Sequence, residues 1–92
     1  MDERLLNAEQ LFNDGSIKEA LDVLNEILKG NIHNVDALLL RVKVYYRQQS
    51  WGNALNDLNS ILEIDTDNLV ARNYKTMVLD ILTYWNKDNF NP

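Results

Sequence analysis

His33 is the one histidine in this 92-residue chain, the residue type that most often serves as general base or metal ligand, so a search for chemistry starts there. A general base or a metal ligand needs partners. His33 stands in "KGNIHNVD", which holds no cysteine and no carboxylate pair at ligand spacing. Glu9, Asp36 and Asp80 are carboxylates that helical folding can gather on an inner face, as in acid–base sites, although such residues commonly form only the solvated side of a helix. Glycine-rich phosphate loops, nucleophile elbows and metal-binding spacings do not occur in the sequence. The expectation is no enzyme, no cofactor and no metal. Lys43 and Arg47 suggest a different chemistry: two cations one helical turn apart can hold a ligand's carboxylate, or can simply be solvated.

That spacing works only on a helix, and the apolar residues predict helices throughout. Leu5, Ala8, Leu11 and Phe12 recur at helical intervals, and Gly15 interrupts them. Ser16 with Glu19 reads as a capping box opening a second helix that buries Ala20, Leu21, Leu24, Ile27 and Leu28 and stops at Gly30 and Asn31. Asn34 caps a third helix carrying Leu38, Val42 and Tyr45. Ser50 opens a fourth with Ala54, Leu55, Leu58, Ile61 and Leu62 inward. Turns are predicted near residues 14–16, 30–34, 48–50 and 65–67.

The second pair of helices repeats the first. A shift of 34 residues superposes eleven identities, among them Leu5 on Leu39, Ala20 on Ala54, Leu24 on Leu58, Leu28 on Leu62 and Asn34 on Asn68. About two or three would arise by chance, and a fixed period of this length marks a stacked repeat.

Ala8, Leu11, Gly15, Ile17, Ala20, Leu24 and Leu28, followed by Val42, Tyr45, Gln49, Trp51, Ala54, Leu58 and Leu62, resemble the tetratricopeptide repeat. Ile27 and Ile61 depart from that family's small residue, Arg4 and Asn7 are polar where it prefers apolar side chains, and Ile32 and Thr66 replace its helix-ending proline. The resemblance implies an all-α α-solenoid of five helices in a single domain, with repeats over residues 1–34 and 35–68 and a capping helix and tail over 69–92. It also implies a concave groove lined by the first helix of each unit. By register the groove displays Asp2, Leu5, Leu6, Glu9, Phe12 and Asn13, then Asp36, Leu39, Leu40, Lys43, Tyr46 and Arg47, then Val70, Asn73, Tyr74 and Met77. The family's carboxylate clamp for chaperone tails is not matched, because its places hold Leu5, Glu9, Leu40, Val70 and Tyr74. An acidic chaperone tail is therefore not the expected ligand.

The final segment opens a third unit without completing it. On a helical wheel Tyr84, Met77, Val70, Ile81, Tyr74, Trp85, Val78 and Leu82 spread over a broad apolar arc. It is read either as a cap lying in the notch between two helices, or as a cap whose edge at Val78, Leu82 and Trp85 seeks a second chain. "DNFNP" is expected to be an irregular tail that folds back through Phe90.

Bulk properties narrow the partners. A net charge of −5 and scattered basic residues oppose binding to nucleic acid, and no apolar run approaches the roughly 20 residues of a membrane span. The opening "MDERLLNAEQ" lacks signal-peptide features and there are zero cysteines, which fits a cytoplasmic protein. The expected function is a non-catalytic scaffold that binds a protein or peptide segment in the groove; the alternative is a self-assembling unit, a homodimer through the last helix or the open repeat ends. In so short an array the groove is expected either to stay open or to collapse partly, with Tyr74 and Met77 falling onto Leu39 and Leu40.

Overall fold

Each predicted break separates two helices, and the chain is all-α: α1 (Glu3–Asn13), α2 (Ile17–Gly30), α3 (Val35–Arg47), α4 (Trp51–Ile64) and α5 (Leu69–Phe90). A computed structural model describes the backbone of residues 2–90 and the side chains of residues 2–85, with no strand among them. Helices α2 and α4 begin and end 34 residues apart, so the sequence period reappears in the helix boundaries.

The turns follow from backbone chemistry. After both α1 and α3 the chain enters the left-handed region for one residue, at Gly15 (φ 86°) and at Gln49 (φ 58°). The amide of Ser16 then donates to the Leu11 carbonyl at 2.8 Å, and that of Ser50 to Tyr45 at 2.8 Å, satisfying carbonyls that the helix end leaves open. Gly15 adopts this conformation freely, whereas Gln49 carries a side chain there and is strained.

The expected capping box does not form. Ser16 and Ser50 follow the left-handed residue directly and are held at ψ 65° and 74°, and neither side chain makes a cap hydrogen bond. The longer connections leave room for an extended cap residue. Asn34 accepts from the Ala37 amide at 3.1 Å and Asn68 from Ala71 at 2.9 Å, while Asp2 accepts from Arg4 at 2.9 Å. The Arg4 guanidinium, which also bonds the Asp2 carboxylate, holds it below the usual carboxylate range.

Every helix packs on its successor, and α1 also meets α3. Ala8, Ala20, Ala37, Ala54 and Ala71 are all fully buried, because small side chains let helix backbones approach closely. Leu24, Val42, Leu58 and Ile61 fill the space between. The molecule is elongated, 50 × 29 × 19 Å.

Two expectations for the last helix are corrected. Ala71 and Val78 are fully buried, with Leu82 packed beside them where α5 meets α4, so Val78 and Leu82 are not an edge awaiting a second chain. Among the described side chains of α5, the exposed large apolar positions are Leu69, Val70, Met77, Leu79, Tyr84 and Trp85. The segment Asp88–Phe90 continues the helix instead of forming an irregular tail. The expected fold-back through the Phe90 side chain lies outside the described side chains.

Candidate functional site

Helix α3 is the central element: α1, α2 and α4 all pack against it, and Tyr46 reaches Tyr74 on α5. Its two sides carry different polar groups, and each borders a cavity.

On the α1 and α5 side, Tyr46 is the hub of an aromatic cluster. Its ring meets Trp51 at 5.1 Å and Tyr74 at 5.5 Å between centroids, both edge-to-face, the arrangement that aligns a ring's positive edge with its neighbour's negative face. Phe12 completes this wall from α1, with the Arg47 guanidinium 5.1 Å above its ring. These rings, with Ile81 and Trp85 of α5, bound a cavity of about 680 Å³ whose charged lining, among the described residues, is Lys43 and Arg47. Lys43 and Arg47 form no ion pair with any described residue. A smaller cavity of about 220 Å³ adjoins it, sharing Lys43 and lined by Glu9, Asp36 and Leu39 with Leu5 and Leu40.

The sequence-predicted groove residues separate by the cavity they border, and exposed Leu6 and Val70 border neither. Phe12, Tyr46, Arg47 and Tyr74 border the larger cavity, Glu9 and Leu39 the smaller, and Lys43 both. Leu5 and Leu40 border the smaller cavity with little more than an edge. Each is only 7% exposed and belongs to the core, which corrects the expectation that they are displayed. The reason is the contact of α1 with α3, which draws both leucines inward. Met77 is 45% exposed and walls neither cavity. Tyr74 packs on Tyr46, while Leu39 stays half-buried, so the collapse onto Leu39 and Leu40 through Met77 does not occur. Glu9 and Asp36 share the smaller cavity, but Asp80 does not join them.

On the α2 and α4 side lies a group that the sequence reading missed. Arg41 donates through Nε and Nη2 to both oxygens of Asp57, each at 2.7 Å, and through Nη1 to Asn25 Oδ1 at 3.0 Å. Asp57 is 5% exposed, the buried charged residue of the described core. Hydrogen bonding to Asp57 raises the Arg41 guanidinium above its already high ordinary range, against the opposing effect of burial. Three helices are thereby tied at one point. A signal was present: in the 34-residue register Asp57 takes the place of Val23, so a charge stands where the first unit is apolar.

Beside this ion pair is a cavity of about 700 Å³ that reaches His33 and Lys29 in and near the α2–α3 turn. His33 is exposed, and its backbone amide donates to Asn31 Oδ1 at 3.0 Å. Among the described residues no three His, Cys, Asp or Glu side chains converge as a metal site, and no helix is long and apolar enough to cross a membrane. Comparison with protein-family models, with curated proteins and with solved structures finds no match to this chain.

Proposed function

We propose that the chain is a non-catalytic protein-interaction module of the tetratricopeptide kind, two units and a capping helix, that holds a protein or peptide segment in the groove walled by α1, α3 and α5. The observation that carries this reading is the larger cavity: aromatic walls and two cations at one place that form no ion pair among the described residues. Support for the repeat comes from the 34-residue correspondence of α2 with α4, of the turns at Gly15 and Gln49, and of the caps Asn34 and Asn68. A cytoplasmic setting accords with the absence of cysteine.

The test is panning a library of displayed random peptides against the full chain and against the double variant Leu39→Ser, Tyr46→Ser. Enriched peptides should bind the parent and lose at least about tenfold in affinity for the variant, with helicity retained. Equal binding to both would place the ligand elsewhere and remove the groove from consideration.

A second reading has its own observation. Met77, Tyr84 and Trp85 are 45%, 65% and 56% exposed on α5, apolar surface that a second copy could cover. Sedimentation equilibrium across concentration separates the two: a monomer favours the groove reading, and a tight dimer favours self-assembly.

A further inference from the structure

Resting on the groove reading, we infer the chemistry of its occupant: a segment in which a large aromatic or aliphatic side chain is flanked by one or two carboxylates. The apolar group enters the cavity between α3 and α5, and the carboxylate lies on Lys43 and Arg47.

Charge complementarity carries the inference. Acidic residues outnumber basic ones 14 to 9 in this chain, yet both charged residues that line the larger cavity among the described residues are cations. They stand where the first unit has Glu9 and Asn13, so the positive patch is a property of the second unit alone. Arg4 and Arg41 are each bonded to a carboxylate of the chain itself, whereas Lys43 and Arg47 are in no ion pair among the described residues. Arg47 is also positioned in advance, because its guanidinium rests 5.1 Å over the Phe12 ring, which lowers the ordering cost of receiving a carboxylate. The neighbouring rings of Tyr46 and Trp51 offer edges and faces suited to a flat or branched apolar side chain.

The same geometry limits how acidic the segment can be. Lys43 also borders the smaller cavity, where Glu9 and Asp36 stand. Asp36 precedes Lys43 by two helical turns, about 10 Å along α3. A run of carboxylates extending from Arg47 past Lys43 would therefore meet two like charges. The site accepts an isolated acid beside an apolar anchor and rejects a polyacidic tail.

Peptides enriched by panning the full chain are synthesised and titrated while following the fluorescence of Trp51 and Trp85. These are the chain's two tryptophans, and both wall the larger cavity. Enriched sequences should place Asp or Glu beside Trp, Phe, Tyr or Leu, and binding should shift the emission. Amidation of that carboxylate should weaken binding about tenfold. The variant Lys43→Glu, Arg47→Glu should lose these peptides with its helicity retained, and should enrich basic ones instead. Neutral or basic peptides from the parent, binding that survives the charge reversal, binding without an emission change, or a concentration-dependent dimer that shifts Trp85 emission without peptide would each overturn the inferred chemistry. No enrichment at all would overturn the groove reading beneath it.

Discussion

Arg41 and Arg47 lie on the same helix, six residues apart, and have opposite fates. Arg41 points toward α2 and α4 and is saturated: two bonds of 2.7 Å to Asp57 and one of 3.0 Å to Asn25. Arg47 points toward α1 and α5, stacks on Phe12 and has no carboxylate partner among the described residues. A guanidinium inside an ion pair is spent on internal structure, whereas one held in place but unpaired keeps its bonding capacity for a ligand. The burial of the partner decides which is which. Asp57 is a buried residue of α4, so its charge must be met from within the chain.

If this contrast is right, the largest stability loss comes from breaking the saturated side. Asp57→Ala leaves Arg41 half-buried without its counter-charge and should destabilise by about 3 kcal/mol in urea unfolding. The double variant Arg41→Met, Asp57→Leu should recover much of that, because removing both charges removes the desolvation cost along with the attraction. A double variant as unstable as Asp57→Ala alone would mean that packing, not charge, is what the single variant damaged. The sign of the linkage adds a pH test. The Arg41 pKa is raised on folding, so its contribution is complete below the unfolded-state value and is lost only as pH rises through the folded one. The stability difference between the parent and Arg41→Met should therefore be flat from neutral to about pH 10, below the guanidinium range.

Next in size is the close approach of α3 and α4 that brings Arg41 within reach of Asp57. Ala54 is fully buried, and Ala54→Leu should cost about 2 kcal/mol by overpacking, lowering the melting temperature. A neutral result would mean that the two helices separate readily, and the ion pair would then not hold them in place.

A smaller effect, of opposite sign, is expected on the groove side. Gln49 lines the larger cavity and, among the described residues, is the non-glycine residue with positive φ, where the first unit has Gly15. Gln49→Gly should stabilise by up to about 1 kcal/mol, because the left-handed conformation costs glycine nothing. Destabilisation would show that the Gln49 side chain contributes more to the cavity wall than the turn loses in strain.

Smallest of all should be the effect on stability of removing the unpaired cations. Lys43→Ala and Arg47→Ala should each change it by less than about 0.5 kcal/mol, which chemical denaturation can bound. A large loss would show that these residues serve the fold, and the contrast with Arg41 would fail.

Much of the fold was legible because helices are written locally. Gly15, Asn34 and Asn68 mark turns and caps by their own conformational preferences, and the apolar intervals from Ala20 to Leu28 and from Ala54 to Leu62 name the faces that pack. The capping role read for Ser16 failed for an equally local reason that the letters do not show: a one-residue connection after Gly15 leaves the serine backbone short of the extended geometry a cap requires. The groove was legible only in outline. The period placed Phe12, Lys43, Tyr46, Arg47 and Tyr74 on one side, but that Leu5 and Leu40 would be drawn into the core depended on how closely α1 meets α3.

By itself, then, the sequence determined five helices, their turns, the 34-residue period and the side of each helix that turns inward, because these depend on residue types a few positions apart. Only tertiary structure decided which charges are used internally. Arg41 and Asp57 are sixteen residues apart, and nothing in their spacing distinguishes them from Lys43 or Arg47. The distinction arises when α4 packs on α3: water is excluded from Asp57, Arg41 is the cation within reach, and Lys43 and Arg47 are left exposed with no ion pair among the described residues.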